Sequence, residues 1–190
     1  MSDDLILHCR SANREHVVKR RTTVRVCQSG EDALDGLFCL AVESPELGRA
    51  ETLFDLLNSS RKMVPFVRSG DRRVSLLTRM NIDWVIAPEA VTAEWIYPPH
   101  YRLGFEEPVH VFFLDGRTIE GRLQIAADPR IDRASDFLNG ASDFFPVKTR
   151  LGTLFANKAR VRETLLVESV ESDERGAIPR ATGELPRQRT

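Results

Sequence analysis

The chain has 190 residues, of which 42% are hydrophobic and 29% charged, a balance typical of a globular protein rather than a disordered one. Its formal net charge of −1 gives no overall attraction to nucleic acid or anionic lipid. Cys9, Cys27 and Cys39 show no CxxC spacing, which favours a reducing compartment over disulfides or a zinc site. No run approaches the ~20 apolar residues of a membrane span, and the N-terminus lacks a signal-peptide pattern. We therefore expect a cytoplasmic protein without membrane contact.

The first segment, residues 1–20, has a pattern compatible with a helix and, around Leu5–Leu7, with a strand. Between His8 and Arg25 the basic residues face one acid, Glu15, which is the strongest charge asymmetry of the chain. Such a stretch either binds phosphate groups of RNA or a nucleotide, or is simply solvated. The candidate phosphate-binding residues are Arg10, Arg14, Lys19, Arg20, Arg21 and Arg25.

Residues 21–97 contain a first set of strand-like runs, which predicts a small β-barrel. The first two runs are separated by a loose turn at Ser29–Asp32, and Gly36 inside the second predicts a bulge or sharp bend. A helix is predicted over about residues 50–60, followed by the strand-like runs MVPFVR, RVSLLT and NIDWVIA. The alternating segment VTAEWIY favours either an extension of this barrel or a brace between two barrels.

A linker is predicted at residues 98–107, which begin with Pro98-Pro99, and a second barrel at residues 108–170. Asp115–Gly116 lies between two alternating runs, and Asp-Gly is the dipeptide that closes a tight hairpin. Gly121 again lies inside the second strand. The polar residues 171–190 predict a disordered tail.

A short helix is predicted after this second hairpin. Ser135 is a candidate N-cap, Asp136 falls in the first turn, where the positive end of the helix dipole favours an acid, and Gly140 ends the helix. The strand-like runs FFPVKT, GTLFAN and ARVRETLLV follow.

The two barrels align with each other residue by residue, which predicts an internal duplication. Val24 and Gly36 match Val109 and Gly121, each 85 residues later, and Asp-x-Leu-Asn recurs 81 residues later. The predicted fold is therefore mainly β, with two tandem five-stranded small barrels, each carrying one short helix between its second and third strands. We assign structural roles to the repeated residues Gly36, Asp55, Asn58, Gly121, Ser135, Asp136 and Asn139.

The stretch VHVFFLDGRTIEGRLQIAAD, residues 109–128, resembles the first half of the Sm/LSm-like family of small β-barrels, with the SH3-like barrels close to it. That resemblance implies a strongly bent five-stranded barrel, ring formation and RNA binding. The chain departs from the family's uridine-binding pattern at Ile131 and Asp132. The pattern R-x-SD-x-LN, which begins at Arg133, is similar to a bacterial domain family of unassigned function, and this likeness implies a fold alone.

No nucleophile elbow, zinc-protease motif or P-loop is present in the sequence. We therefore expect no catalytic residue, no metal and no cofactor. The first hypothesis is a non-enzymatic interaction or scaffold module that binds a protein partner or itself through sheet edges. The alternative is RNA or nucleotide binding through residues 10–25.

Overall fold

The computed structural model describes residues 18–71, 73–131 and 133–167. The predictions for the first seventeen residues, including Arg10 and Arg14, and for the tail at residues 171–190 fall outside the described residues. Within the described ranges, no helix is long and apolar enough to cross a membrane.

The described residues form ten strands, three short α-helices and two turns of 3₁₀ helix. The first half contains β1 (Lys19–Gln28), β2 (Leu34–Ala41), α1 (Leu53–Leu57), β3 (Met63–Arg68), β4 (Val74–Thr78), the 3₁₀ turn Arg79–Asn81 and β5 (Ile82–Ala87). The connecting helix is α2 (Ala93–Ile96). The second half contains β6 (Leu103–Phe113), β7 (Thr118–Ala126), α3 (Ala134–Leu138), β8 (Phe144–Thr149), β9 (Gly152–Asn157), the 3₁₀ turn Lys158–Arg160 and β10 (Val161–Leu166). β6 thus begins inside the segment that the sequence predicted as a linker.

The strands form one antiparallel, unclosed sheet in the order β10-β6-β7-β8-β9-β5-β1-β2-β3-β4. The predicted mainly β class is confirmed, and so is a short helix between the second and third strands of each half. The two tandem five-stranded barrels are not confirmed, because β5 of the first half pairs with β9 of the second and joins the halves. Every residue of these two strands is buried. Strands that are apolar on both sides need cover on both faces, which a small separate barrel cannot supply to an outer strand.

Two hydrophobic cores form, and each contains side chains from both halves. The first core is built mainly from the first half, and it takes in Phe144 and Phe155 from β8 and β9. The second core is built mainly from the second half, and it takes in Cys27, Trp84 and Ile86 from the first. Because neighbouring side chains of a strand point to opposite faces, the central strands contribute to both cores.

The helices of the two halves begin differently. α1 starts with a capping box, in which the Asp55 amide donates to Thr52 Oγ1 and the Thr52 amide donates to the Asp55 carboxylate. α3 has Arg133 at its N-cap, without a side-chain hydrogen bond. The prediction that Ser135 caps this helix is therefore wrong, since Ser135 is its second residue and is exposed. Asp136 does lie in the first turn, as predicted.

The segment VTAEWIY forms α2 instead of extending the sheet as a strand. A turn of helix lets Ile96 enter the first core, whereas strict alternation would have buried Val91, Ala93 and Trp95. Contacts between the two halves lie just beyond this helix. The Tyr97 hydroxyl donates to the side chain of Gln124 on β7, and the Tyr101 hydroxyl donates to its carbonyl oxygen at 2.7 Å. Burial raises the pKa of both tyrosines, so these hydroxyls stay protonated as donors.

Candidate interaction surfaces

The junction between the halves is an antiparallel strand pair. Across it Trp84 faces Ala156, Val85 faces Phe155 and Ile86 faces Leu154. Side chains of this pair enter the core of the opposite half, so the junction is a continuation of both cores.

Asn58 holds the two halves together at the end of α1. Its Nδ2 donates to the carbonyl oxygens of Phe54 (3.0 Å) and Phe144 (3.3 Å), and its Oδ1 accepts from the Phe144 amide at 2.8 Å. Asn58 is the C-cap residue of α1, and its bond to Phe54 lies at the end of that helix. The bond to β8 is not visible in the sequence, because it joins residues 86 positions apart. Asn139, the corresponding residue of the second half, is exposed.

We expect Asn58→Ala to lower the free energy of unfolding by about 2 kcal/mol, because it leaves the buried Phe144 amide without an acceptor. Asn139→Ala is the matched control and should change the free energy by less than about 0.5 kcal/mol, because it lies at an exposed surface. Urea denaturation of dilute protein measures both values. Equal losses in the two variants would contradict the assigned contact.

An ionic cluster lies at one end of the same junction. The Asp83 carboxylate, which is 2% exposed, accepts hydrogen bonds from Arg160 Nε at 2.9 Å and Ser29 Oγ at 2.8 Å. Arg160 also contacts Ser29, and Arg117 contacts the Cys27 thiol. Burial raises the pKa of Cys27, although Arg117 opposes this effect. The cluster therefore joins β1 and β5 to the second half by charge as well as by packing.

Cys27, Asp83 and Asp115 place their potential ligand atoms within 4.8 Å of one another, which is close enough to hold a metal ion. Two arginine side chains reach the same atoms, Arg117 at Cys27 and Arg160 at Asp83. Their guanidinium groups supply the positive charge that balances the carboxylates, so we assign this group as an ion-pair cluster.

A second ion pair crosses the junction at Arg79, which is buried. Its Nη1 donates to Asp143 Oδ2 at 2.6 Å and to the Leu57 carbonyl oxygen at 2.8 Å, and its Nε donates to the Arg61 carbonyl oxygen at 2.9 Å. This one side chain thus connects the end of α1, the loop before β3 and the loop before β8.

The two outer strands of the sheet, β4 and β10, each have one edge without a partner strand among the described residues. β4 exposes Val74 and Leu76, the latter by 62%. β10 exposes Leu165 by 48% and Leu166 by 44%. Edge strands with exposed apolar residues are templates for pairing with another chain, so these two edges are the candidate interaction surfaces of the protein.

The candidate phosphate-binding residues that the structure describes lie in different local environments. The Arg20 guanidinium carbon lies 3.5 Å from the centre of the Trp95 ring, and Arg25 forms two 2.8 Å hydrogen bonds with Asp35. Arg21 and Lys19 are half-buried. These side chains therefore do not present one continuous basic surface along β1.

The repeated motif residues differ in their contacts with the rest of the fold. Gly36 and Gly121 lie where their strands pass close to β3 and β8. Asp55 pairs with Arg49 at 2.8 and 2.9 Å. Burial opposes its negative charge, but the hydrogen bonds from Arg49 and Thr52 outweigh burial and lower the pKa of Asp55. Asp136, its counterpart in the second half, is exposed.

No protein-family model matches the chain, and neither does any curated protein or any solved structure.

Proposed function

We propose that this chain is a non-enzymatic scaffold module, built from a duplicated five-stranded unit, that assembles with further copies of itself through its outer strands. The observation that carries the proposal is the junction of β5 with β9. β5 is the fifth strand of the first half, and β9 is the fourth strand of the second half. The outer strands are of the same two kinds, because β10 is the fifth strand of the second half and β4 is the fourth strand of the first half. Pairing β4 of one copy with β10 of the next would repeat the junction that already exists within the chain.

The strand registers fix which residues correspond. Leu76 lies opposite Pro65 on β3, and Phe155 lies opposite Pro146 on β8. Leu76 therefore occupies the position of Phe155, whose ring enters the core of the opposite half.

The same reasoning applies to β10. Ile86 lies opposite Arg25 on β1, and Leu165 lies opposite His110 on β6. Leu165 thus occupies the position of Ile86, which packs into the second core. The apolar side chains exposed at the outer strands are therefore equivalent, by strand register, to side chains that are buried at the junction.

Transfer of the junction register predicts the contacts between copies. Ile86 faces Leu154 within the chain, so Leu165 of one copy should face Ser75 of the next, and Leu166 should face Val74. Two open rows of backbone groups would then be paired, and exposed leucine and valine side chains would be removed from water. Asn139 would lie beside Met63 of the neighbouring copy, as Asn58 lies beside Phe144.

The ion pairs of the internal junction have no equivalent between copies. Lys158 and Lys62 occupy the positions of Arg79 and Asp143, so like charges meet there. Association should therefore be weaker than the internal junction, reversible, and strengthened by salt, which screens this repulsion. Because the contact joins two different edges, copies add head to tail and form either a closed ring or a filament. The resemblance of residues 109–128 to ring-forming Sm-like barrels agrees with this proposal.

The contact is tested by a disulfide at the predicted register. Ser75→Cys combined with Leu165→Cys, in a Cys9→Ser, Cys39→Ser background that retains the buried Cys27, should give covalent dimers and higher oligomers under mild oxidation. Directly opposed residues of an antiparallel pair lie within disulfide range. The matched control combines Ser75→Cys with Glu163→Cys, which shifts the register by two residues. Equal crosslinking in both pairs, or none in either, would contradict the proposed register.

Light scattering provides the second measurement for the same contact. The mass of the wild-type chain should rise with protein concentration, and Leu76→Asp should keep it at the monomer value. Leu47→Asp changes another exposed leucine, in the loop between β2 and α1, and should leave the assembly intact. A concentration-independent monomer mass for the wild type would refute self-assembly.

A further inference from the structure

We infer that Arg162 of one copy binds the carboxylate of Asp32 in the next copy, and that this contact makes the outer strand β10 selective for a second copy of the chain. It rests on the scaffold proposal above, because the two side chains are brought together by the same transfer of the internal junction. Arg162 and Asp32 are both exposed, and neither forms an ion pair with another residue in the part of the chain that the structure describes.

Arg162 occupies the position of Asp83, the buried acid of the internal junction. The pairing of β5 with β1 skips Asp83, and the pairing of β10 with β6 skips Arg162 at the equivalent place. Cys27 and Phe112 are the equivalent residues of the neighbouring strands. The Cys27 Sγ atom lies 3.9 Å from Asp83 Oδ2, and the Arg162 guanidinium carbon lies 5.7 Å from the centre of the Phe112 ring. The two side chains therefore leave their strands in the same direction.

Asp32 occupies the position of Arg117, which crosses the internal junction to this place. The turns before the two residues are alike, because the amide that precedes each of them donates to the carbonyl oxygen three positions earlier, at 3.1 Å in both halves. Arg117 contacts the Cys27 thiol from the other half. Transfer of this geometry brings the Asp32 carboxylate of the next copy beside Phe112 and Arg162.

A third position of the cluster agrees in character. Arg160, which pairs with Asp83 inside the chain, is equivalent to Asn81, since each is the last residue of its 3₁₀ turn. Both carbonyl oxygens accept a backbone hydrogen bond from the loop after the first strand of their half, at 2.9 Å for Arg160 and 3.3 Å for Asn81. Asn81 is exposed, and its side-chain oxygen can accept a hydrogen bond from Arg162. The Asp83–Arg160 pair itself is not repeated, because Asn81 carries no charge.

The contact between copies is thus the internal cluster with its charges inverted. Inside the chain a carboxylate on the strand meets guanidinium groups, whereas between copies a guanidinium on the strand meets a carboxylate and an amide oxygen. A neighbour without an acid at the position of Asp32 would cover Arg162 without pairing it, which disfavours that neighbour. Once covered, the pair is screened less by salt than the repulsion between Lys62 and Lys158, so added salt still strengthens association.

The test reverses the two charges singly and together. Arg162→Asp or Asp32→Arg alone should weaken association at least about tenfold, equivalent to roughly 1.4 kcal/mol, because like charges then meet. The double variant restores opposite charges, with the polarity of the internal cluster, and its association should return to within about threefold of the wild type. Light scattering over a concentration series measures all four chains. Both positions are exposed, so the urea midpoints of the variants should match the wild type.

Mixing the chains gives a readout that partial unfolding would not imitate. The wild type and the double variant should each associate with themselves but not with each other, because both mixed contacts place like charges together. Energy transfer between differently labelled populations measures this separation. Glu46→Arg reverses another exposed acid, in the loop between β2 and α1, and should leave association and mixing unchanged.

The outcomes separate this contact from the strand pairing on which it rests. Unchanged association in either single variant, or a double variant as weak as the single ones, would overturn the Arg162–Asp32 contact and leave the strand pairing in place. If the strand pairing itself were wrong, the Ser75→Cys, Leu165→Cys chain would form no covalent dimer and the wild type would stay monomeric, and both proposals would then be refuted.

Discussion

Gly121→Ala is expected to lower the free energy of unfolding by roughly 3 kcal/mol, the upper end of the usual cost of overpacking. A Cβ at this position would lie 2.4 Å from the Lys148 carbonyl oxygen and 2.6 Å from Val147 Cγ1. The first of these atoms is backbone, so the clash cannot be relieved by a rotamer change. β7 would have to move away from β8, to which it is held at Arg122 and Leu123. Urea denaturation should show a lower midpoint with an unchanged slope.

The corresponding glycine of the first half provides an internal replicate. A Cβ on Gly36 would lie 2.5 Å from the Val67 carbonyl oxygen and 2.3 Å from the Phe66 ring. Gly36→Ala should therefore be destabilising to a similar degree. Gly140→Ala is the control, since its nearest contact is 3.1 Å and its cost should stay below about 1 kcal/mol. If Gly121→Ala were no more destabilising than Gly140→Ala, the close approach of the strands would be refuted.

Asp83→Ala should lower the free energy of unfolding by about 3 kcal/mol, because it breaks a nearly buried ion pair and leaves the partner charge uncompensated. Arg160 loses the carboxylate with which it pairs, and the Ser29 hydroxyl loses the oxygen to which it donates at 2.8 Å. The change acts on the junction between the halves, since Asp83 lies on β5 and Arg160 directly precedes β10. Thermal or urea denaturation measures the loss.

Two further variants separate the effect of the pair from that of burial. Asp35→Ala removes the carboxylate of an exposed ion pair with Arg25 and should cost less than about 1 kcal/mol. Combining Asp83→Ala with Arg160→Met should cost less than the sum of the two single changes, because no charge is then left alone. Additive losses would show that Asp83 and Arg160 do not stabilise each other.

The repeated glycines and asparagines show that equivalent positions of the two halves keep the same role in one case and differ in the other. Gly36 and Gly121 share their role, because each lies where its strand passes close to the neighbouring strand of the same half. Asn58 and Asn139 differ, because the first half has a second half to contact and the second half has an exposed surface at the equivalent place. A pattern in the sequence can mark equivalent positions, but it does not say which surfaces are covered.

The segment VTAEWIY illustrates the limit of local patterns. Three alternating apolar positions are compatible with a strand, yet the segment lies between Pro88 and Pro98 and buries Ile96 by turning into α2. Similarly, Ser135 is a favourable capping residue by type, but α3 begins two residues too early for it to act as the cap. A shift of two residues decides such a role, and sequence patterns do not resolve helix ends that finely.

The amino-acid sequence by itself determined the local structure of this protein: its strands, the turn at Asp115–Gly116 and the short helix of each half. Those features depend on side-chain periodicity and backbone preference over a few residues. Only the tertiary structure decided that β5 and β9 join the halves into one sheet, because pairing between strands uses backbone groups that every residue carries. The runs IDWVIA and GTLFAN, buried on both faces, were the available signal for this junction, but they name no partner. The same physics leaves β4 and β10 open, and what covers them depends on surfaces that only the folded chain presents.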